Sequence, residues 1–225
     1  MLSSMRKIAV FDFCETIANF QTADPFVFYT LSKYGTKKQL RKKRFLEFLN
    51  KYRIIPLLHQ LFPSISLNKK LVLSLLKGMP EDIVEKAGFQ YYNEIVRTNF
   101  IQLVIEIIKR KKIEGFEIAL ASGGYDVYLK HFAEEFSIDS KLVVCSRIGF
   151  KNGLCTGHLI GKDCMRGEKV IRLSNMRKDD CYIEAYSDSK SDLPLLLWAD
   201  KAFIVERSDK NKNWNNQFTK IKWEN

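Results

Sequence analysis

The chain has 225 residues, 46% of them hydrophobic, enough to bury one large domain or a core domain with a smaller companion. No apolar stretch reaches the length of a membrane span, and the N-terminus runs from a basic pair straight into a short strand without a signal-peptide hydrophobic region, so a soluble, cytoplasmic protein is expected. Five scattered cysteines with no CxxC pair argue against a zinc site or a disulfide framework, and the net charge of +11 points to an anionic partner.

In chain order, "KIAVFDF" (7–13) is the first strand-like run, and it ends on an acid. Residues 19–112 follow with helical spacing of apolar residues, punctuated by Gly35, Pro56, Pro63 and Gly78. Pro80 before Glu81 and Asp82 marks a helix start, and the pattern from there to residue 112 reads as helix. This segment holds 18 Lys and Arg against 7 Asp and Glu, a net of +11, while the remaining residues hold 19 of each. Its densest part is "KKQLRKKR" (37–44). The charge suits an anionic substrate or partner; a solvated helix face is the plainer reading.

Further strand-like runs are "FEIALAS" (116–122), "KLVVCSRI" (141–148), "CYIEAYS" (181–187) and "KAFIVE" (201–206). Helices are predicted over 126–136, 167–175 and 191–198. "GFKNGLCTGHLIG" carries an Asn-Gly turn between apolar stretches and reads as a β-hairpin, with Cys145 and Cys155 flanking it and able to face each other. The tail from residue 208 is polar and reads as loosely held, although Trp214 and Trp223 point to some packing. Alternating apolar strands and helices predict an α/β doubly wound parallel sheet with a helical insertion after the first strand.

Four groups recur at strand ends or helix starts. They are Asp12, then Ser122–Gly123–Gly124, then Lys169, then Asp188 with Asp192. In an open parallel sheet ligand sites gather at the carboxyl ends of strands, so the fold would unite them. An Asp carboxylate can attack phosphorus, Asp12 with Asp188 makes a hard oxygen site suited to Mg²⁺, and Lys169 supplies a compact positive charge. Ser122 and the Gly123 N–H can bind phosphate oxygens. Asp192 can hold a metal-bound water or orient Lys169.

The ordered set resembles the haloacid dehalogenase (HAD) superfamily of phosphohydrolases, in its phosphoserine phosphatase-like branch, over nearly the whole chain. "FDFCETI" is similar to the DxDxT motif, "ASGGYD" to the second motif, "GFKNGLCTGHLIGKDCMRGEKV" to the branch's hairpin and lysine motif, and "YSDSKSDLP" to the acidic fourth motif. The resemblance implies a HAD-like Rossmannoid core from residues 1–18 and 113–225, with 19–112 as a helical cap. It implies Asp12 as nucleophile, Ser122, Gly123 and Lys169 as phosphate-binding groups, Mg²⁺ as cofactor, and Asp12, the Cys14 carbonyl, Asp188 and Asp192 around the metal. The substrate would be a small anionic phosphorylated metabolite.

Cys14 departs from the pattern. It stands where the family has the Asp that protonates the leaving oxygen and then activates water, and Glu15 stands where Gly is usual. A thiol of ordinary pKa about 8.5 is a poor acid and a poor base here, and losing general acid–base help costs roughly 10²–10⁴-fold. Three outcomes stay open: a substrate with a good leaving group, a slower phosphatase using Glu15 or a substrate group, or transfer to an acceptor other than water. Alternatives of other classes are a catalytically impaired phosphate-binding protein, a nucleic-acid binder or polynucleotide-end phosphatase acting through the basic cap, and a membrane-surface contact through the same helix. No nucleic-acid motif supports the second.

Overall fold

The computed structural model describes residues 5–51, 67–177, 180–209, 214 and 217–224. Seven strands form one sheet in the order β4-β3-β2-β1-β5-β6-β7. They are β1 (Arg6–Phe11), β2 (Glu117–Tyr125), β3 (Val143–Lys151), β4 (Leu154–Ile160), β5 (Cys181–Ser187), β6 (Lys201–Arg207) and β7 (Thr219–Trp223). Every neighbouring pair is parallel except β3 and β4. This is the expected α/β sheet. Ile8–Phe11, Ile118–Ala121, Ile183 and Ile204 are buried, as a sheet covered on both faces requires. Phe11, Tyr186 and Phe203 stack across three adjacent strands at centroid spacings of 4.3 and 4.6 Å.

Between β1 and β2 lie α1 (Ala23–Tyr34), α2 (Lys37–Lys51), α3 (Leu67–Ser74), α4 (Glu81–Tyr91) and α5 (Gln102–Ile113). The later helices are α6 (Asp126–Glu135), α7 (Gly167–Leu173) and α8 (Leu193–Trp198). None of the described helices is long and apolar enough to cross a membrane. Two marks in the predicted insertion, Pro56 and Pro63, lie outside the described residues.

The stretch after Pro80 is not one helix. A π-turn at Tyr92–Val96 and a 3₁₀ turn at Arg97–Asn99 end it, and Phe100 is extended. The backbone there is claimed by the loop after β1: Asn19 N–H donates to Asn99 O at 2.9 Å and Ile101 N–H to Ile17 O at 2.8 Å. A continuous helix would leave those buried loop groups unpaired. The chain then re-enters helix as α5, whose Val104, Ile105, Ile107 and Ile108 are buried and which packs against β2.

The hairpin forms as expected, with Asn152 at φ 51° and Gly153 at φ 72°, the left-handed pair of a type I′ turn. Its register separates the two cysteines. Cys155 pairs with Phe150, whereas Cys145 lies farther up β3 opposite Ser122 of β2. The expectation that they face each other is corrected; both are buried free thiols. The outer edge of β4 is occupied by residues 78–81, with Gly78 N–H donating to Cys155 O and Cys155 N–H to Met79 O, both at 2.8 Å. In the tail, Trp214 and Trp223 are buried as expected, together with Phe218, while the loosely held reading is corrected at "TKIKW", which is β7 pairing with β6. Alternate lysines on an edge strand mask its apolar residues in sequence.

Candidate active site

Asp12 follows the last residue of β1, and its N–H donates to Tyr186 O at 2.9 Å, which fixes the side chain at the carboxyl end of the sheet. The chain then turns tightly: Ile17 and Ala18 N–H both donate to Phe13 O at 2.9 Å. The turn holds Glu15 at φ 55°, the left-handed region where glycine is favoured. It also aims Thr16 between two acids. The Thr16 hydroxyl lies 3.3 Å from Asp12 Oδ2 and 3.4 Å from Asp188 Oδ1, and accepts from Asp188 N–H at 3.0 Å.

Lys169 enters from α7. Its Nζ donates to Asp12 Oδ1 at 2.6 Å and to Asp192 Oδ2 at 2.7 Å, with all three side chains buried. Ser187 Oγ donates to the same Asp192 oxygen at 2.7 Å. Asp192 is thus in direct contact with Lys169. Burial pushes the Asp12 carboxyl up to about 7; Lys169 opposes this, and Asp192 and Asp188 reinforce it. Asp12 and Asp192 thus share one buried ammonium, and Asp188 is buried beside them.

The oxygen donor set fits one hard divalent cation. Asp12 and Asp188 share the Thr16 hydroxyl, and among the described residues no cluster of three or more His, Cys, Asp or Glu is placed to hold a metal. Two carboxylates completed by water and substrate oxygens is the habit of Mg²⁺, not of zinc.

The site opens into a cavity of about 360 Å³ whose floor includes Asp12, Cys14, Lys169 and Asp188. Gly123 lines it at the end of β2. A Cβ there would come within 2.9 Å of the Met165 side chain. Ser122 does not line the cavity; it is fully buried and its Oγ accepts from Gly124 N–H at 2.9 Å. Glu15 is not brought in either. It lines a neighbouring small cavity that shares Asp188 with the first, and its carboxylate accepts at 2.8 Å from Nε2 of Gln21, which lines the Asp12 cavity. Nor do Lys42, Lys43 or Arg44 of the basic cluster reach the Asp12 cavity.

Sequence reasoning missed three contributors. Thr22 Oγ1 lies 3.1 Å from Cys14 Sγ and 2.7 Å from the Tyr128 hydroxyl. Burial, and next the Asp12 charge, push the Cys14 thiol up, while Thr22 opposes this by hydrogen bonding through both its side chain and its backbone. Tyr128 needs Gly124 bare, because a Cβ there would sit 2.6 Å from its hydroxyl. Lys69 on α3 lines the cavity wall, donating to Asp163 Oδ1 at 2.5 Å, to Ser146 Oγ at 3.3 Å and to Gly123 O. A lysine in "NKKL" carries no signal of that reach. Gly124, inside the quoted second motif, was the one available hint of Tyr128.

The sequence profile of the haloacid dehalogenase-like hydrolases matches residues 9–197. A phosphoserine phosphatase of Methanocaldococcus jannaschii is 26% identical over 223 residues, covering 92% of each chain. Among solved structures, a Bordetella pertussis protein of unknown function superposes with a TM-score of 0.72 at 18% identity, covering 89% of this chain and 90% of that one. A phospho-aspartyl intermediate analogue of phosphoserine phosphatase superposes at 0.52 with 20% identity, covering 89% and 86%. These structural likenesses bear out the fold expected from the sequence.

Proposed function

Because this chain belongs to the haloacid dehalogenase-like hydrolase family, we propose that it is a phosphomonoester phosphatase acting on a small phosphorylated metabolite, with Asp12 as its nucleophile. The observation that carries this reading is the Lys169 ammonium held between Asp12 and Asp192, which offsets charge on the nucleophile while leaving Asp12 Oδ2 without that partner. Asp12 attacks phosphorus, the bond to the leaving oxygen breaks, and an aspartyl-phosphate forms that water then cleaves. The M. jannaschii relative and the phospho-aspartyl analogue structure support this course.

Lys169 stabilises charge on the transferring group, Thr16 holds Asp12 and Asp188 in register, and the backbone at Gly123 receives phosphate oxygens. Asp12, Asp188 and the Cys14 carbonyl would hold Mg²⁺, which supplies charge neutralisation for the incoming phosphate. Residues 1–18 and 113–225 act as the catalytic core and 19–112 as the cap that covers it. Met165 and Lys69 narrow the entrance.

Cys14 sets the leaving-group preference. Its thiol lies at the cavity and burial pushes its pKa up, so it hands over a proton poorly. Acyl phosphates and other good leaving groups therefore suit the site best. Transfer to an acceptor other than water is a second reading favoured by the same thiol, since a poor base activates water poorly.

The test is Mg²⁺-dependent phosphate release across phosphoserine, sugar phosphates, nucleotides and acyl phosphates, with Asp12→Asn as control. Release that needs both Mg²⁺ and Asp12 is expected. Release insensitive to Asp12→Asn would overturn the assignment.

A further inference from the structure

Of the basic residues in the insertion, Lys69 lines the Asp12 cavity, whereas Lys38, Lys42 and Lys77 do not. Between Asp24 and Glu81 the sequence has twelve Lys and Arg and a single acid, Glu47. Three of these lysines converge on a second cavity, of about 560 Å³, which shares no lining residue with the first. Lys38 and Lys42 stand one turn apart on α2, and Lys77 follows α3. All three are exposed, and among the described residues none has a carboxylate partner.

The walls are tied together. Gln39 Nε2 donates to Leu75 O at 3.0 Å, joining α2 to the end of α3, and Thr36 Oγ1 donates to Gln39 Oε1 at 2.9 Å. The Tyr34 hydroxyl is fixed on Gln90 Oε1 at 2.5 Å. The lining also includes the apolar residues Leu75, Met79, Pro80 and Ile83. A volume within the range of ligand pockets, apolar lining residues and converging cations are the makings of a binding site.

We propose that this groove binds a nucleotide-sized polyanion, a flat apolar body carrying two or more phosphates, at a cap site separate from the catalytic one. Three like charges held around one hollow repel one another, and an anion of matching valence relieves that repulsion. Tyr34, Pro80 and Ile83 offer surface to the apolar body, and Lys38, Lys42 and Lys77 take the phosphates.

The proposal stands apart from the phosphatase reading, so it is tested on Asp12→Asn protein with a chelator present and turnover absent. Calorimetric titration with ATP should give one site, weakened at least tenfold in the triple variant Lys38→Gln/Lys42→Gln/Lys77→Gln and weakened steeply by salt. The single variant Lys42→Glu guards against a folding defect in the triple. Inorganic tripolyphosphate should bind the same lysines more weakly, which would show the apolar lining in use. Equal affinity for the two probes would overturn the nucleotide-sized body. No binding of either, binding unchanged in both lysine variants, or binding only to anionic vesicles would overturn the site.

Discussion

Cys14 Sγ lies 3.1 Å from Thr22 Oγ1, so the residue that departs from the family motif has an assigned partner in the buried interior. One assignment satisfies every group: Tyr128 O–H donates to Thr22 Oγ1, and Thr22 O–H donates to the sulfur. The S–H is then left for the cavity. Donors arranged this way would serve a carboxylate better than a thiol.

The Cys14→Asp variant is therefore expected to fold and to hydrolyse simple phosphate esters faster. The ceiling is the roughly 10²–10⁴-fold that general acid–base catalysis contributes. The gain should be largest for poor leaving groups and small for acyl phosphates. Steady-state rates on an alkyl and an acyl phosphate check this. Equal losses on both would show that the thiol has a catalytic role of its own.

Asp12 gives the pH dependence. Its folded pKa, about 7, lies above its ordinary 3.8. A carboxyl raised on folding contributes stability that is full below the unfolded value and is lost as pH rises through the folded one. Without divalent cation, stability relative to Asp12→Asn should fall between about pH 4 and 7. Chemical denaturation of both proteins across that range reads it. Parallel curves would contradict the raised carboxyl.

Most of this architecture is legible in sequence, and the exceptions share a cause. β1, β2, β3, β5 and β6 are apolar runs with a strong local signature, and Asn152–Gly153 dictates its own turn. Asp12, Lys169, Asp188 and Asp192 could be brought together because each closes a strand or opens a helix. What failed is what depends on partners distant in the chain. The break at Phe100 exists because Ile17 and Asn19 need backbone partners. β7 exists because β6 has a free edge. Glu15 stays off the Asp12 cavity lining because Gln21, a lining residue, holds its carboxylate.

Lys169 is the electrostatic centre of the site, and its removal should be costly. In Lys169→Met, Asp12 and Asp192 lose their common partner while both stay buried. Breaking a buried pair from one side costs about 3–5 kcal/mol. Urea denaturation should show a loss of that order, partly recovered by Mg²⁺ or by the double variant Lys169→Met/Asp192→Asn. A loss under about 1 kcal/mol, no more than a surface pair gives, would mean that the pair contributes little.

Lys69 joins the insertion to the core at the cavity wall. Its ammonium meets Asp163 at 2.5 Å and the Gly123 carbonyl, and Ser146 Oγ also donates to that Asp163 oxygen at 2.6 Å. In Lys69→Met, Asp163 keeps the Ser146 donor, so the fold should survive with a loss of about 1.5–3 kcal/mol, the range for a hydrogen bond to a charged group. Catalysis should respond differently. Gly123 lines the cavity at the place proposed for phosphate, and losing a positive charge from the wall should weaken capture of an anion before it alters the chemical step. KM should rise several-fold with kcat nearly held, and the rise should shrink at high salt, where the lysine's field is screened in the unmodified protein as well. Lys69→Arg should recover part of the affinity. A fall in kcat at unchanged KM would instead place Lys69 on the reacting phosphate, and no change in either would reduce it to a strut between α3 and the core.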